Sequence, residues 1–149
     1  MRLDRLADCD RDRALAVVEA SRSPAGYAQV LAVMALNENR GELIDDYRDT
    51  FTEFAYWFTV FGTPTDGSPW GWQLMGHHAD LHCVFGGGQM VLAPVFLGAE
   101  PTTGTGRFEG IHALGDETEV ALMFRRTLDP GREDEFLRGS SLRTEDLPP

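Results

Sequence analysis

The 149-residue sequence predicts an α+β fold in which N-terminal helices pack on an antiparallel β-meander that is followed by a C-terminal helix. Three observations predict it. Apolar residues recur at helical spacing up to about residue 50; aromatic and β-branched residues then alternate along extended runs between Phe54 and Leu97; helical spacing returns after Gly115-Asp116. The extended runs follow one another through short Gly- and Pro-containing segments, the connection that joins neighbouring antiparallel strands.

Taken in order, Arg11 to Ala20 places Leu15, Val18 and Val17 on one side of a short helix that Ser21-Arg22 ends. Ser23-Pro24 supplies an N-cap followed by proline at the first helical position, and Tyr27, Val30, Leu31 and Met34 continue a second helix. Asn37 to Gly41 reads as its break, with a third helical piece from about Glu42 to Thr50. Phe54, Tyr56, Phe58 and Val60 alternate with Ala55, Trp57, Thr59 and Phe61, which predicts a strand buried on both faces. Gly62 to Pro69 is a turn or surface loop. A second strand starts at Trp70, a third spans His78 to Phe85, and Gly86-Gly87-Gly88 turns tightly into a fourth, Gln89 to Leu97. Pro101 to Gly110 loops over the surface. Asp116 caps the last helix, with Glu117 and Glu119 in its first turn and Val120, Leu122, Met123, Phe124 and Leu128 as its apolar side. The expected layout is thus a single domain over 1–149: helical 10–50, sheet 53–98, loop 99–110, helix about 116–128, charged tail 130–149.

Composition narrows the function. With 42% hydrophobic and 25% charged residues the chain is of ordinary globular make-up. A net charge of -11 argues against nucleic acid as a partner, because that affinity rests on cations neutralising phosphates. All thirteen basic residues are Arg, so no Schiff-base or P-loop lysine is present. No basic segment followed by an apolar run opens the sequence and no long apolar stretch interrupts it, so neither a signal peptide nor a membrane partner is expected and the location reads as cytoplasmic. Cys9 and Cys83 read as free thiols rather than a bridge.

The chemistry concentrates between Tyr56 and Cys83, which hold all three tryptophans and three of the four histidines. On an extended segment, residues two apart share a face, so His78, Asp80 and His82 would project together while His77, Leu81 and Cys83 point the other way. Two imidazoles and a carboxylate compose a site for one divalent transition metal (Zn, Cu or Fe) able to activate water or dioxygen. The candidate ligands are His78, His82, Asp80 and His77, and His112 is a spare. For each histidine the competing reading is a satisfied structural imidazole. Trp57, Trp70 and Trp72 with Gln73 could wall a pocket for an apolar or sugar-like ligand, or fill the sheet core. Neither Ser68 nor Cys83 has the setting of a nucleophile.

Phe-Gly-Thr-Pro at Phe61, Pro-Trp-Gly-Trp at Pro69, Gly-His-His at Gly76 and Pro-Val-Phe-Leu-Gly-Ala at Pro94 occur in an order that resembles the family catalogued as domain of unknown function 3500. The segments Gly26 to Leu36 and Ile111 to Leu128 are also similar. Relatives carry a second half with further histidines, so the resemblance implies a shortened member or fragment, and a homo-oligomer or a second chain that completes the fold and covers the apolar surface. Two departures stand out: Met75 replaces an acidic residue before Gly-His-His, and His82-Cys83 replaces Asn followed by a larger apolar residue. The resemblance leaves two functions open: a metal-dependent enzyme built on Gly-His-His, or a non-catalytic module that binds a small ligand or another subunit through a degenerate site.

Overall fold

The computed structural model describes residues 1–44, 47–65 and 67–128, so the charged tail expected at 130–149 lies outside the described residues. Two compact units are present, Met1–Leu114 and the segment from Gly115 onward. The first contains helix α1 (Asp8–Ala20), helix α2 (Pro24–Leu43) and strands β1 (Trp57–Phe61), β2 (Trp70–Gly76), β3 (Ala79–Gly86) and β4 (Gln89–Leu97). The strands form one antiparallel sheet in the order β1-β2-β3-β4, as the meander reading requires.

Local chemistry sets the ends of these elements. The Ser23 hydroxyl accepts from Gly26 N–H at 3.1 Å and Pro24 opens α2, so the cap lies where the sequence puts it. Gly87 and Gly88 form the two-residue turn between β3 and β4 with φ of 59° and 73°. Both central residues of such a turn need positive φ, which glycine adopts without steric cost.

Two expectations are corrected. Helix α2 does not break at Asn37 to Gly41 but runs on to Leu43. Asn37 and Asn39 are buried and turn their amides outward from the helix backbone, to the Thr52 carbonyl and to Thr105, so they do not compete with helical hydrogen bonds. Of the third helical piece expected from about Glu42 to Thr50, residues 45 and 46 lie outside the described residues; Tyr47 is 3-10 helical, and Thr50 and Phe51 N–H close turns on its carbonyl. The second correction concerns β1. It starts at Trp57, not Phe54, and is an edge strand: Trp57 and Phe61 are exposed on the uncovered face of the sheet, and Val60 is exposed at the sheet edge on the other.

That covered face carries Trp72 and Leu74 of β2 and Ala79, Leu81 and Cys83 of β3, all buried and packed with Leu15 and Val18 of α1 and Val30, Val33 and Met34 of α2. The Trp72 indole N–H reaches the Ser21 hydroxyl at 3.2 Å, and that hydroxyl donates to the Val17 carbonyl. Burial raises the Cys83 thiol above its ordinary pKa, and both cysteines are free. The second unit contributes helix α3 (Gly115–Arg126), with Asp116 and Glu117 in its first turn and Arg125 and Arg126 in its last, charges that suit the helix dipole. None of its residues is buried, so Val120, Leu122, Met123 and Phe124 are exposed. Among the described residues no helix is long and apolar enough to cross a membrane.

Candidate functional site

The structure divides the predicted ligands between two places. His77 and His78 form the two-residue turn between β2 and β3, so His78 does not share a strand face with Asp80 and His82. The expected third strand begins one residue later, at Ala79, and the alternation that would align His78 never reaches it. Asp80 and His82 do share a face, as predicted, and it is the face turned away from the helices.

At the turn, His77 is fixed by a residue the strand pattern did not reveal. The Asn37 amide nitrogen donates to the Thr52 carbonyl at 2.8 Å, which leaves the Asn37 oxygen facing His77 Nδ1 at 2.9 Å. His77 is therefore the Nδ1–H tautomer, and its Nε2 keeps the lone pair. Burial, then the neighbouring His78 and Arg40, holds its pKa below the usual imidazole range, against an opposing pull from Glu100. The ring stacks on Phe51 at 4.5 Å, and the Tyr56 hydroxyl donates to the His77 carbonyl at 2.9 Å. Asn37 was legible in principle, since it lies seven residues after Val30 on the apolar side of α2. Asn37→Ala should cost about 1–3 kcal/mol by stranding the His77 Nδ1–H and the Thr52 carbonyl. Chemical denaturation measures the loss, and imidazole nitrogen shifts of His77 should report its fixed tautomer giving way to a mixture.

His78 has φ of 60°, uncommon for a non-glycine residue. Its ring lies 3.9 Å from that of His77, and Gly98 N–H donates to its carbonyl at 2.8 Å. Its Nε2 is buried without a hydrogen-bond partner, 3.8 Å from a Glu100 oxygen. Glu100 in turn pairs with Arg40 at 3.0 Å.

On the open face, Asp80 Oδ1 accepts from the Gln73 amide at 2.9 Å and lies 2.9 Å from His82 Nε2, while Gln73 and His82 nitrogens approach to 3.1 Å. His82 Nε2 thus stands within hydrogen-bond distance of both the Asp80 carboxylate and the Gln73 amide. Around this polar centre stand Trp57, Phe61, Met75, Val84, Val91 and Phe96, each between 44% and 57% exposed. The cross-strand pairs Trp57–Met75, Val84–Val91 and Asp80–Phe96 place them on the same face. A hollow of about 300 Å³ opens beside Gly71, lined by Phe61, Val84 and His82.

Of the four residues expected to wall a pocket, Trp70 and Trp72 line the hollow beside Gly71, while Trp57 and Gln73 stand elsewhere on the open face. Trp72 is 1% exposed in the core, and Trp70 stacks on Phe85 at 4.4 Å. His112 is exposed and pairs with Thr103. Among the described residues no three or more His, Cys, Asp or Glu side chains are grouped to hold a metal ion. The donors also fit one poorly, because the carboxylate nearest His78 is already paired with a guanidinium.

No curated protein and no solved structure matches the chain. The family model described as protein of unknown function (DUF3500) matches residues 1–142, and the chain belongs to that family.

Proposed function

We propose that this protein is a subunit-interaction module whose working surface is the open face of the sheet, and that a second copy of the chain docks there. The observation that carries the reading is the row of six large apolar side chains left about half exposed on one sheet face. Covering the exposed half of each contributes about 1 kcal/mol of apolar burial, and two-fold symmetry doubles the sum before association costs are subtracted.

Charge supports a second copy as the occupant. The chain carries a net charge of -11, yet the strand residues on this face include a single formal charge, Asp80, which sits beside His82. A patch containing both an acid and a histidine is its own complement across a two-fold axis, and the acidic remainder of the surface is kept away from the contact. Two such sheets would stack about 10 Å apart as in a β-sandwich.

A second reading, small-ligand binding at the same face, draws on the hollow beside Gly71 and on His82 in its lining. The metal-dependent enzyme has less support: it would need Gly76-His77-His78 to recruit a further donor from substrate, water or a partner, next to the positive charge of Arg40. Phe96→Asp tests the leading reading. A carboxylate within a symmetric contact is buried twice, so light scattering should show the variant as a folded monomer where the parent is a dimer. A variant that keeps the parent's mass would refute the assignment of this face.

A further inference from the structure

We infer that Arg40 and His78 form a site for the carboxylate group of a small-molecule ligand, and that Glu100 occupies it as a displaceable internal substitute. The two donors come from separate parts of the chain, Arg40 from the last turn of α2 and His78 from the β2–β3 turn, and Glu100 follows β4. They converge nonetheless. Glu100 places one carboxylate oxygen 3.0 Å from Arg40 and the other 3.8 Å from His78 Nε2. Phe51 stacks on His77 and has the Arg40 guanidinium 5.7 Å from its ring centre, which ties the helix to the turn.

The donors are incompletely used. Both Arg40 Nε and His78 Nε2 are buried without a hydrogen-bond partner. An arginine fork matches a carboxylate best when two nitrogens bond in parallel, and Glu100, tethered by its own backbone, meets NH1 while stopping short of His78. A free carboxylate has no tether and can satisfy both. Leaving such donors unmatched costs free energy that a better-placed anion would recover.

Glu100 is built to leave. Its side chain is 63% exposed, against 23% for Arg40 and 27% for His78. An ion pair so exposed is held only weakly. The sign of the site is also set: a guanidinium beside the imidazole opposes a dication and favours an anion. His77 does not donate to the carboxylate, because its Nδ1–H is committed to Asn37; it positions His78 by ring contact. The left-handed backbone of His78 fits a residue held in an unfavourable conformation for its side chain.

The test titrates sodium acetate into the wild-type protein, Glu100→Ala and the double variant Glu100→Ala/His78→Asn, at constant ionic strength with chloride as the balancing anion. Asparagine tolerates positive φ, so the second substitution removes the imidazole without straining the turn. Calorimetry and the imidazole ¹⁵N resonances of His78 give the readout. The expected result is saturable binding to Glu100→Ala at least tenfold tighter than to wild type, with the His78 resonances shifting along the same isotherm and the double variant losing at least tenfold. No saturable binding to a folded Glu100→Ala protein would overturn the inference, as would equal binding by the double variant. Inorganic phosphate binding as tightly as acetate would overturn the carboxylate assignment, and zinc displacing acetate in a His78-dependent way would overturn the sign of the site.

Discussion

Trp72→Ala is expected to destabilise the fold by about 3–5 kcal/mol, a large share of the roughly 5–15 kcal/mol that holds a domain of this size together. Trp72 is 1% exposed at the centre of the covered face, so its removal opens a cavity among α1, α2 and β2 that the packed neighbours cannot fill. The Ser21 hydroxyl also loses the indole N–H. Trp57→Ala should behave in the opposite way. That side chain is 45% exposed on the open face with Arg2 stacked over its ring, so its loss should change stability by less than about 1 kcal/mol while weakening self-association. Urea unfolding of the two variants separates the faces; equal losses would mean that the open face is part of the folding core.

Gly76→Ala should be the second large effect, about 3 kcal/mol from overpacking together with a lost hydrogen bond. A Cβ at residue 76 would meet the ring of Tyr56, which is fully buried and whose hydroxyl holds the His77 carbonyl. Either Tyr56 leaves its slot or the Gly-His-His turn lifts from the helices, and both outcomes release His77 from Asn37. The clash is specific, so the effect is non-additive: in a Tyr56→Ala background the same glycine substitution should cost less than about 1 kcal/mol. A full cost in that background would place the strain elsewhere. Burial raises the Tyr56 phenol pKa well above its ordinary value, so the hydroxyl stays protonated as a donor across the accessible pH range.

Much of the architecture was legible because it depends on neighbours in sequence. Ser23-Pro24 sets the start of α2, and Gly87-Gly88 sets the hairpin that leads into Gln89–Leu97. The partition of the sheet into a covered and an open face was not legible. Trp57 and Trp72 are the same residue type in similar extended surroundings, and only the placement of the helices buries one and leaves the other exposed. The histidine turn was missed because His77-His78 carries no glycine, proline or asparagine to mark it, and His78 adopts positive φ without that signal. Asp80 and His82 were read correctly as sharing a face, but their partner Gln73 comes from the adjacent strand, fixed by register rather than spacing. Arg40 and Glu100 were out of reach, being sixty residues apart and joined only through the fold.

The covered face explains stability, and the open face is where the account places function. Concentration-dependent solution mass tests that claim most directly, because association through this face is the one property it cannot do without. Sedimentation equilibrium of the unaltered protein should show a monomer–dimer equilibrium that shifts to dimer with rising concentration and persists at high salt, as expected for an apolar contact with little net charge. A monomer at every concentration would contradict the account.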